Sequence, residues 1–419
     1  MANGRPAACL AVGSELLGES RLDSNSLAIT RALGRHGFEV VEKRVVADDE
    51  LAVAAAINEL LGRVEVLVIT GGLGPTADDI TREAIARALG RGLDVDPEVE
   101  GWIRAAYTAR GRPVPEASRR MAQVVQGARI LPNRKGVAPG MLVSSEDRLL
   151  VSLPGVPFEM EDMLEREVEP ELALRGGGER RFTRTLLLGG VYESMVEERV
   201  RGLYDRFGRD NITILASSGV VRLVLSAGGE PTGAQRRLAE MEMAFRDVLG
   251  ADLAGVDVAS LEEAVLADLE AAGMTLAVAE SCTGGLLSAR LTDVPGASAV
   301  FLGGVVSYSN QAKEDLVGVP HDVLVEQGAV SEPTARAMAA GARRAFGADW
   351  AIGITGIAGP SGGTADKPVG LVHWAVAGPA GVAARHRVFT GGRPVVRLWS
   401  AHLALDLLRR QLADGRRHG

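Results

Sequence analysis

The sequence predicts two α/β domains joined by a small α+β module. Three observations carry this. The chain has 419 residues, more than one hydrophobic core usually organises, so two or three domains are expected. Strand-like and helix-like stretches alternate at both ends of the chain, the mark of βαβ units around a largely parallel sheet. Between them, one stretch reads strand, helix, strand, strand, helix, which suits a compact α+β unit.

In chain order, the first domain (1–175) has strands at 7–12, 39–46 and 64–70 alternating with helices at 24–37, 51–61 and 78–89. A further helix at 159–174 runs into the Gly-rich break Arg175-Gly-Gly-Gly178, a natural boundary. The module (176–255) has strands at 185–188, 211–216 and 220–226 and helices at 194–207 and 233–249, with a second boundary over 250–258. The last domain (256–419) has helices at 261–272, 285–291, 332–346 and 395–412. Its strands are expected at 275–279, 299–308, 350–355, 370–377 and 383–389.

Hydrophobic residues at 46% and charged residues at 24% exclude a disordered or fibrous chain. A net charge of -8 argues against a surface that coats nucleic acid, because phosphate neutralisation needs clustered cations. The two cysteines, Cys9 and Cys282, are too few for a disulfide framework or a Cys-rich zinc site, and a cytoplasmic protein is expected. The first apolar stretch is cut short by Glu15, so it lacks the core of a signal peptide, and no run of about 18 apolar residues suggests a membrane span. Of the 46 basic residues only Lys43, Lys135, Lys313 and Lys367 are lysine. Where any surface cation would do, this chain uses arginine, so each lysine is a candidate for a compact, deprotonatable amine.

Near the C-terminus, a buried strand leads through Glu280 into Ser281-Cys-Thr-Gly-Gly285 and a helix start. Such a turn aims backbone N–H groups at a small volume, where they can bind an anion or an oxyanion. Alternatively, Ser281 and Thr283 only cap the helix. A second cluster, Gly303-Gly-Val-Val-Ser-Tyr308-Ser-Asn-Gln-Ala-Lys313, supplies an amine and a phenol, and a desolvated Lys or Tyr can activate a serine where no His is at hand. Alternatively, Lys313 is a solvated cation at a helix start beside Glu314 and Asp315, and Tyr308 a half-buried strand end. Cys282 is the rival nucleophile, but cysteines usually recruit His, and none of the six histidines lies in either cluster. A third loop, Thr355-Gly-Ile-Ala-Gly-Pro-Ser-Gly-Gly-Thr364, allows close approach of a ligand.

In the first domain the buried strand 66–70 ends in Gly71-Gly-Leu-Gly-Pro-Thr-Ala-Asp78-Asp79-Ile-Thr81. Three glycines at a helix start suit phosphate oxygens. Adjacent carboxylates there call for a divalent cation bridging them to substrate, unless one of them, three residues after Thr76, merely serves the helix. Asn133-Arg-Lys135-Gly-Val-Ala-Pro-Gly140 and Leu153-Pro-Gly-Val-Pro157-Phe-Glu159-Met add further polar loops.

The motifs AESCTGG, GGVVSYSNQAK and TGIAGPSGGT, in that order, resemble the CinA C-terminal family of nicotinamide-mononucleotide amidohydrolases from Ser260 to the end of the chain. The resemblance implies hydrolysis of nicotinamide mononucleotide (NMN) to nicotinate mononucleotide and ammonia, with no cofactor. Carried over, Ser281 attacks, Lys313 and Tyr308 handle its proton, and the amides of Thr283, Gly284 and Gly285 hold the oxyanion. Asn310, Thr355 and Gly356 would line the substrate site, and Arg393 or Arg397 would meet the phosphate. Gly392 stands where the family usually has Asp, and Pro333 where it usually has an acid.

Gly13-Ser-Glu-Leu-Leu17, Asp23-Ser-Asn25, GGLGPTADDIT, NRKGVAPG and PGVPFEM resemble the CinA N-terminal domain, related to molybdopterin-binding domains. That resemblance implies a site of Glu15, Asn25, Asp78, Asp79 and Glu159, with the backbone of Gly71, Gly72 and Gly74 at phosphate. It also implies ADP-ribose pyrophosphatase chemistry with a divalent metal, held by Asp78 and Asp79, and potassium. A homodimer is expected by the same likeness. Two other readings stay open: a non-catalytic adaptor contacting recombination proteins, and a molybdopterin binder.

Overall fold

A computed structural model describes residues 5–19, 22–145, 147–176, 180–217 and 219–418. Gly177 and Gly178 of the expected break lie outside the described residues, as do residues 1–4. The chain clusters into two compact units, 1–182 with 227–235, and 183–226 with 236–419.

The first unit contains strands β1 (Arg5–Val12), β2 (Phe38–Val46), β3 (Val66–Thr70), β4 (Leu93–Val95), β5 (Gln123–Val125), β6 (Arg129–Leu131), β7 (Gly140–Ser144) and β8 (Leu149–Leu153). Its helices are α1 (Asn25–Arg35), α2 (Glu50–Leu61), α3 (Thr81–Leu89), α4 (Pro97–Ala109), α5 (Pro157–Met163) and α6 (Glu169–Arg175). The main sheet runs β2-β1-β3-β8-β7-β6, and β4 pairs with β5 apart from it. Strands β2, β1, β3 and β8 are parallel, while β7 and β6 are antiparallel additions. Every residue of β3 and β8 is buried, because helices cover both faces of the sheet. The loops at the C-terminal ends of β1, β3 and β8 therefore gather on one edge, where open α/β sheets bind ligands. The helix expected over 159–174 is interrupted by a π turn at Leu164–Val168, just before Pro170, which cannot donate a helical hydrogen bond.

A four-stranded sheet, most of it in the second unit, is built from β9 (Arg181–Gly189), β10 (Ile212–Ser217), β11 (Val220–Gly228) and β12 (Leu253–Val256), with α7 (Glu193–Phe207) and α8 (Pro231–Leu249). Its order is β10-β11-β9-β12. The stretch expected as a boundary thus contains a strand, held antiparallel to Leu186–Leu188 of β9. The larger sheet uses β13 (Leu276–Glu280), β14 (Phe301–Val306), β15 (Trp350–Gly356), β16 (Leu371–Gly378) and β17 (Gly381–Val388) in the order β14-β13-β15-β16-β17. Around it lie α9 (Leu261–Ala271), α10 (Leu286–Thr292), α11 (Asn310–Val317), α12 (His321–Glu326), α13 (Glu332–Phe346) and α14 (Arg393–His418). Leu187 and Val220 of the module share one apolar core with Leu403, Ala404 and Leu407 of α14. A polar network reinforces that junction: buried Asp406 accepts from Arg409 at 2.6 Å and from Arg410 at 2.7 Å, and Arg409 donates to the carbonyls of Ala251 and Leu253. Among the described residues, no helix is long and apolar enough to cross a membrane.

Candidate active site

β13 ends at Glu280, whose side chain is wholly buried. The turn after it holds Gly284 at φ +59 and Gly285 at φ +88, the left-handed region that favours glycine. Glu280 Oε2 accepts from the N–H groups of Gly285 (3.1 Å) and Leu287 (3.0 Å). Its Oε1 accepts from the N–H (2.9 Å) and the hydroxyl (2.6 Å) of Ser288. The buried carboxylate is thus neutralised by the N-terminus of α10 rather than by a cation, and it fixes the turn. Ser281 N–H donates to the Ile354 carbonyl of β15 at 3.0 Å, which anchors the serine across the sheet.

Lys313 sits on α11, capped by the Ser309 hydroxyl accepting from Ala312 N–H. Its side chain is 1% exposed. Nζ lies 3.1 Å from Ser281 Oγ, 2.9 Å from the Ser307 carbonyl and 3.1 Å from the Tyr308 carbonyl. Two carbonyls can take two N–H bonds and leave the third tetrahedral direction on the serine oxygen. Burial lowers the amine's pKa below the usual lysine value, favouring the neutral form that can accept the serine proton. Cys282 is buried, and burial pushes its thiol pKa up to about 12, so it holds its proton.

Two expectations for this site need correction. Tyr308 is 60% exposed, and its hydroxyl accepts from Arg393 Nη2 at 3.2 Å, so its carbonyl and not its phenol meets Lys313. The cause is the alternation that continues from β14, which buries Ser307 and turns Tyr308 outward. The amides of Gly284 and Gly285 are occupied, by the Ser281 carbonyl and by Glu280. Among the described residues, neither the Cys282 nor the Thr283 N–H donates to a backbone carbonyl, the Cys282 N–H facing its own thiol, and these are the donors the turn leaves for a ligand. Arg397 donates from Nε (3.1 Å) and Nη2 (2.5 Å) to the Thr283 carbonyl, whereas the more exposed Arg393 holds the Gly359 carbonyl at 3.0 Å. Thr355 is buried and donates to the Ala329 carbonyl at 2.6 Å, with Gly356 next to it at the end of β15, and Asn310 is exposed at the start of α11. Glu280 and Ser307 were missed as parts of the site. An acid inside an apolar strand must find buried donors, and that was the available signal for Glu280.

In the first unit, Glu15, Asn25, Gly71, Gly72, Gly74, Asp78, Asp79 and Glu159 all line one cavity of about 660 Å³. Gly71 has φ +94, and a Cβ there would stand 2.1 Å from the Val12 carbonyl, so β1 and the loop can cross closely only at glycine. The loop is braced from behind. Arg82, 1% exposed, donates to the carbonyls of Leu73 (2.6 Å) and Gly74 (2.8 Å), and Thr81 donates to that of Gly71 (2.9 Å). Asn25 donates to the Gly155 carbonyl at 3.0 Å, and Glu159 accepts from Asn133 at 2.6 Å.

The expected metal pair does not form here. Asp79 Oδ1 accepts from Gly74 N–H at 2.7 Å, and Oδ2 from Thr76 N–H at 2.8 Å and the Thr76 hydroxyl at 2.5 Å. Asp79 therefore shapes the loop, and α3 begins two residues beyond it, at Thr81, without its help. Asp78 is exposed, and among the described residues no three His, Cys, Asp or Glu side chains converge as a cation cage. The residues present do not fit a resident divalent ion.

Fold and site together define a multidomain α/β protein with a buried Ser–Lys pair at a strand–turn–helix junction. Residues 258–412 match the family described as the CinA C-terminal domain, 183–255 the damage-inducible protein CinA KH domain, and 8–174 the probable molybdopterin binding domain. The chain is 44% identical over 408 residues to a CinA-like protein of Parasynechococcus marenigrum, covering 96% of this chain and 97% of that one. It is 42% identical over 415 residues to a putative competence-damage inducible protein of Symbiobacterium thermophilum, covering 96% and 97%. A solved competence/damage inducible protein from Agrobacterium tumefaciens is 43% identical over 36% of this chain and 93% of its own, with a TM-score of 0.36. The chain belongs to the CinA family.

Proposed function

We propose that the C-terminal domain is a nicotinamide-nucleotide amidase, converting NMN and water to nicotinate mononucleotide and ammonia. The observation that carries this reading is the buried Lys313 amine 3.1 Å from Ser281 Oγ. Neutral Lys313 takes the hydroxyl proton as Ser281 Oγ attacks the carboxamide carbon. The oxyanion falls to the N–H groups of Cys282 and Thr283. Lys313 returns the proton to the departing nitrogen, which leaves as ammonia. Water then attacks the acyl-serine ester with Lys313 again as base, releasing the carboxylate and restoring the hydroxyl. Ammonia release from NMN by the purified full chain tests the reading, and an inert wild type would favour the adaptor alternative.

For the first unit, the reading is a nucleotide site for ADP-ribose, supported by the cavity that gathers the Gly-rich loop with Asn25 and Glu159. Because Asp79 is occupied by its own loop, no cleavage step is assigned to a metal there. Thermal-shift titration with ADP-ribose tests the binding; no shift, or a shift with a pterin alone, would contradict it.

A further inference from the structure

Arg393 and Arg397 stand one helical turn apart at the start of α14, and either could be thought to meet the substrate phosphate. Their surroundings separate them. The Nε and Nη2 edge of Arg397 closes on one oxygen, the Thr283 carbonyl, at 3.1 and 2.5 Å. That edge is the fork by which arginine grips a phosphate or carboxylate, and here it is filled by the protein's own backbone. The same carbonyl accepts from Leu286 N–H at 3.2 Å, and the Gly284 N–H of the same peptide unit donates to the Ser281 carbonyl at 3.1 Å. Arg397 thus holds a peptide inside the turn that carries both Ser281 and the open amides of Cys282 and Thr283. Among the described residues, no carboxylate forms an ion pair with Arg397, so its charge acts on that peptide.

We propose that Arg397 is a positioning residue: it holds the catalytic turn through the Thr283 carbonyl and leaves the substrate phosphate to other groups. The inference rests on the amidase reading. Any drift of the Thr283 peptide moves the oxyanion donors relative to Ser281 Oγ, and misplacement of that kind lowers turnover more than it weakens ground-state binding.

Arg397→Lys separates the two roles, because lysine keeps the cation a phosphate needs but cannot present the two-donor edge. With the full chain and NMN as substrate, positioning predicts a kcat about ten- to a hundred-fold below wild type, with KM within about twofold. Arg397→Ala should lower kcat at least as far. A lysine variant with wild-type kcat, or an alanine variant whose main defect is a raised KM, overturns the proposal, and so does a variant that melts earlier yet turns over normally. If the wild type releases no ammonia, the amidase reading itself fails and the positioning role with it.

Discussion

Glu280 and Ser288 are joined twice, the carboxylate accepting from the backbone N–H at 2.9 Å and from the hydroxyl at 2.6 Å. With the Gly285 and Leu287 amides, these bonds tie the residue before the nucleophile to the first turn of α10. Glu280→Gln places an amide NH₂ among these donors, so at least one buried donor loses its acceptor. We expect a loss of about 2 kcal/mol in unfolding free energy, read by denaturant titration, with kcat falling alongside. Wild-type stability in this variant would show that the turn is held by other means.

The Lys313 amine has a pKa below the ordinary 10.5 because it is buried. Between that lowered value and 10.5, the unfolded chain binds the extra proton, so the stability tied to this side chain is fully present above 10.5 and is lost as pH falls through the folded value. Lys313→Met should therefore be more stable than wild type at neutral pH, the gap closing as pH rises toward 10.5. In the wild type, kcat/KM should rise with pH to a plateau whose midpoint lies below 10.5. A gap that widens with pH would refute the assignment.

Asp406 is 5% exposed and bonds to both Arg409 and Arg410, next to the carbonyls that Arg409 holds. Asp406→Ala leaves Arg409 buried without its counter-charge. Breaking a buried pair from one side costs about 3 kcal/mol or more, which chemical denaturation should detect. Because the pair is screened little, the loss should persist at high salt.

Asp78 and Asp79 should part company when mutated. Asp79→Ala removes three loop hydrogen bonds and should lower both melting temperature and ADP-ribose binding. Asp78→Ala, at an exposed position where the carboxylate bonds only to Thr76 and its own backbone, should lower the melting temperature much less than Asp79→Ala does. Equal destabilisation by the two would contradict the division of roles.

The apolar strands β3 and β13 were the most legible part of the sequence, because they are buried along nearly their whole length as runs of Val, Ile, Leu and Ala, whereas the equally buried β8 was not anticipated. The three-residue strands β4, β5 and β6 show no period long enough to read, and β12 hides inside a stretch rich in Gly and Ala. For the site, local spacing pointed to Ser281 and Lys313, but not to which face Tyr308 would take. That depended on whether the strand's alternation continued past Val306. Nor could spacing distinguish loop amides open to a ligand from those already claimed by Glu280 or Ser281, or foresee that Asp79 would turn onto Gly74 and Thr76. Those bonds depend on the turn's three-dimensional course.

The most direct test of the account compares ammonia release from NMN by Ser281→Ala and Cys282→Ala beside the wild type. The Ser281 hydroxyl adjoins a buried amine, and the Cys282 thiol, with its pKa near 12, stays protonated. The account predicts no detectable turnover in Ser281→Ala and activity within a fewfold of wild type in Cys282→Ala. Turnover that survives loss of the serine and disappears with the cysteine would contradict it.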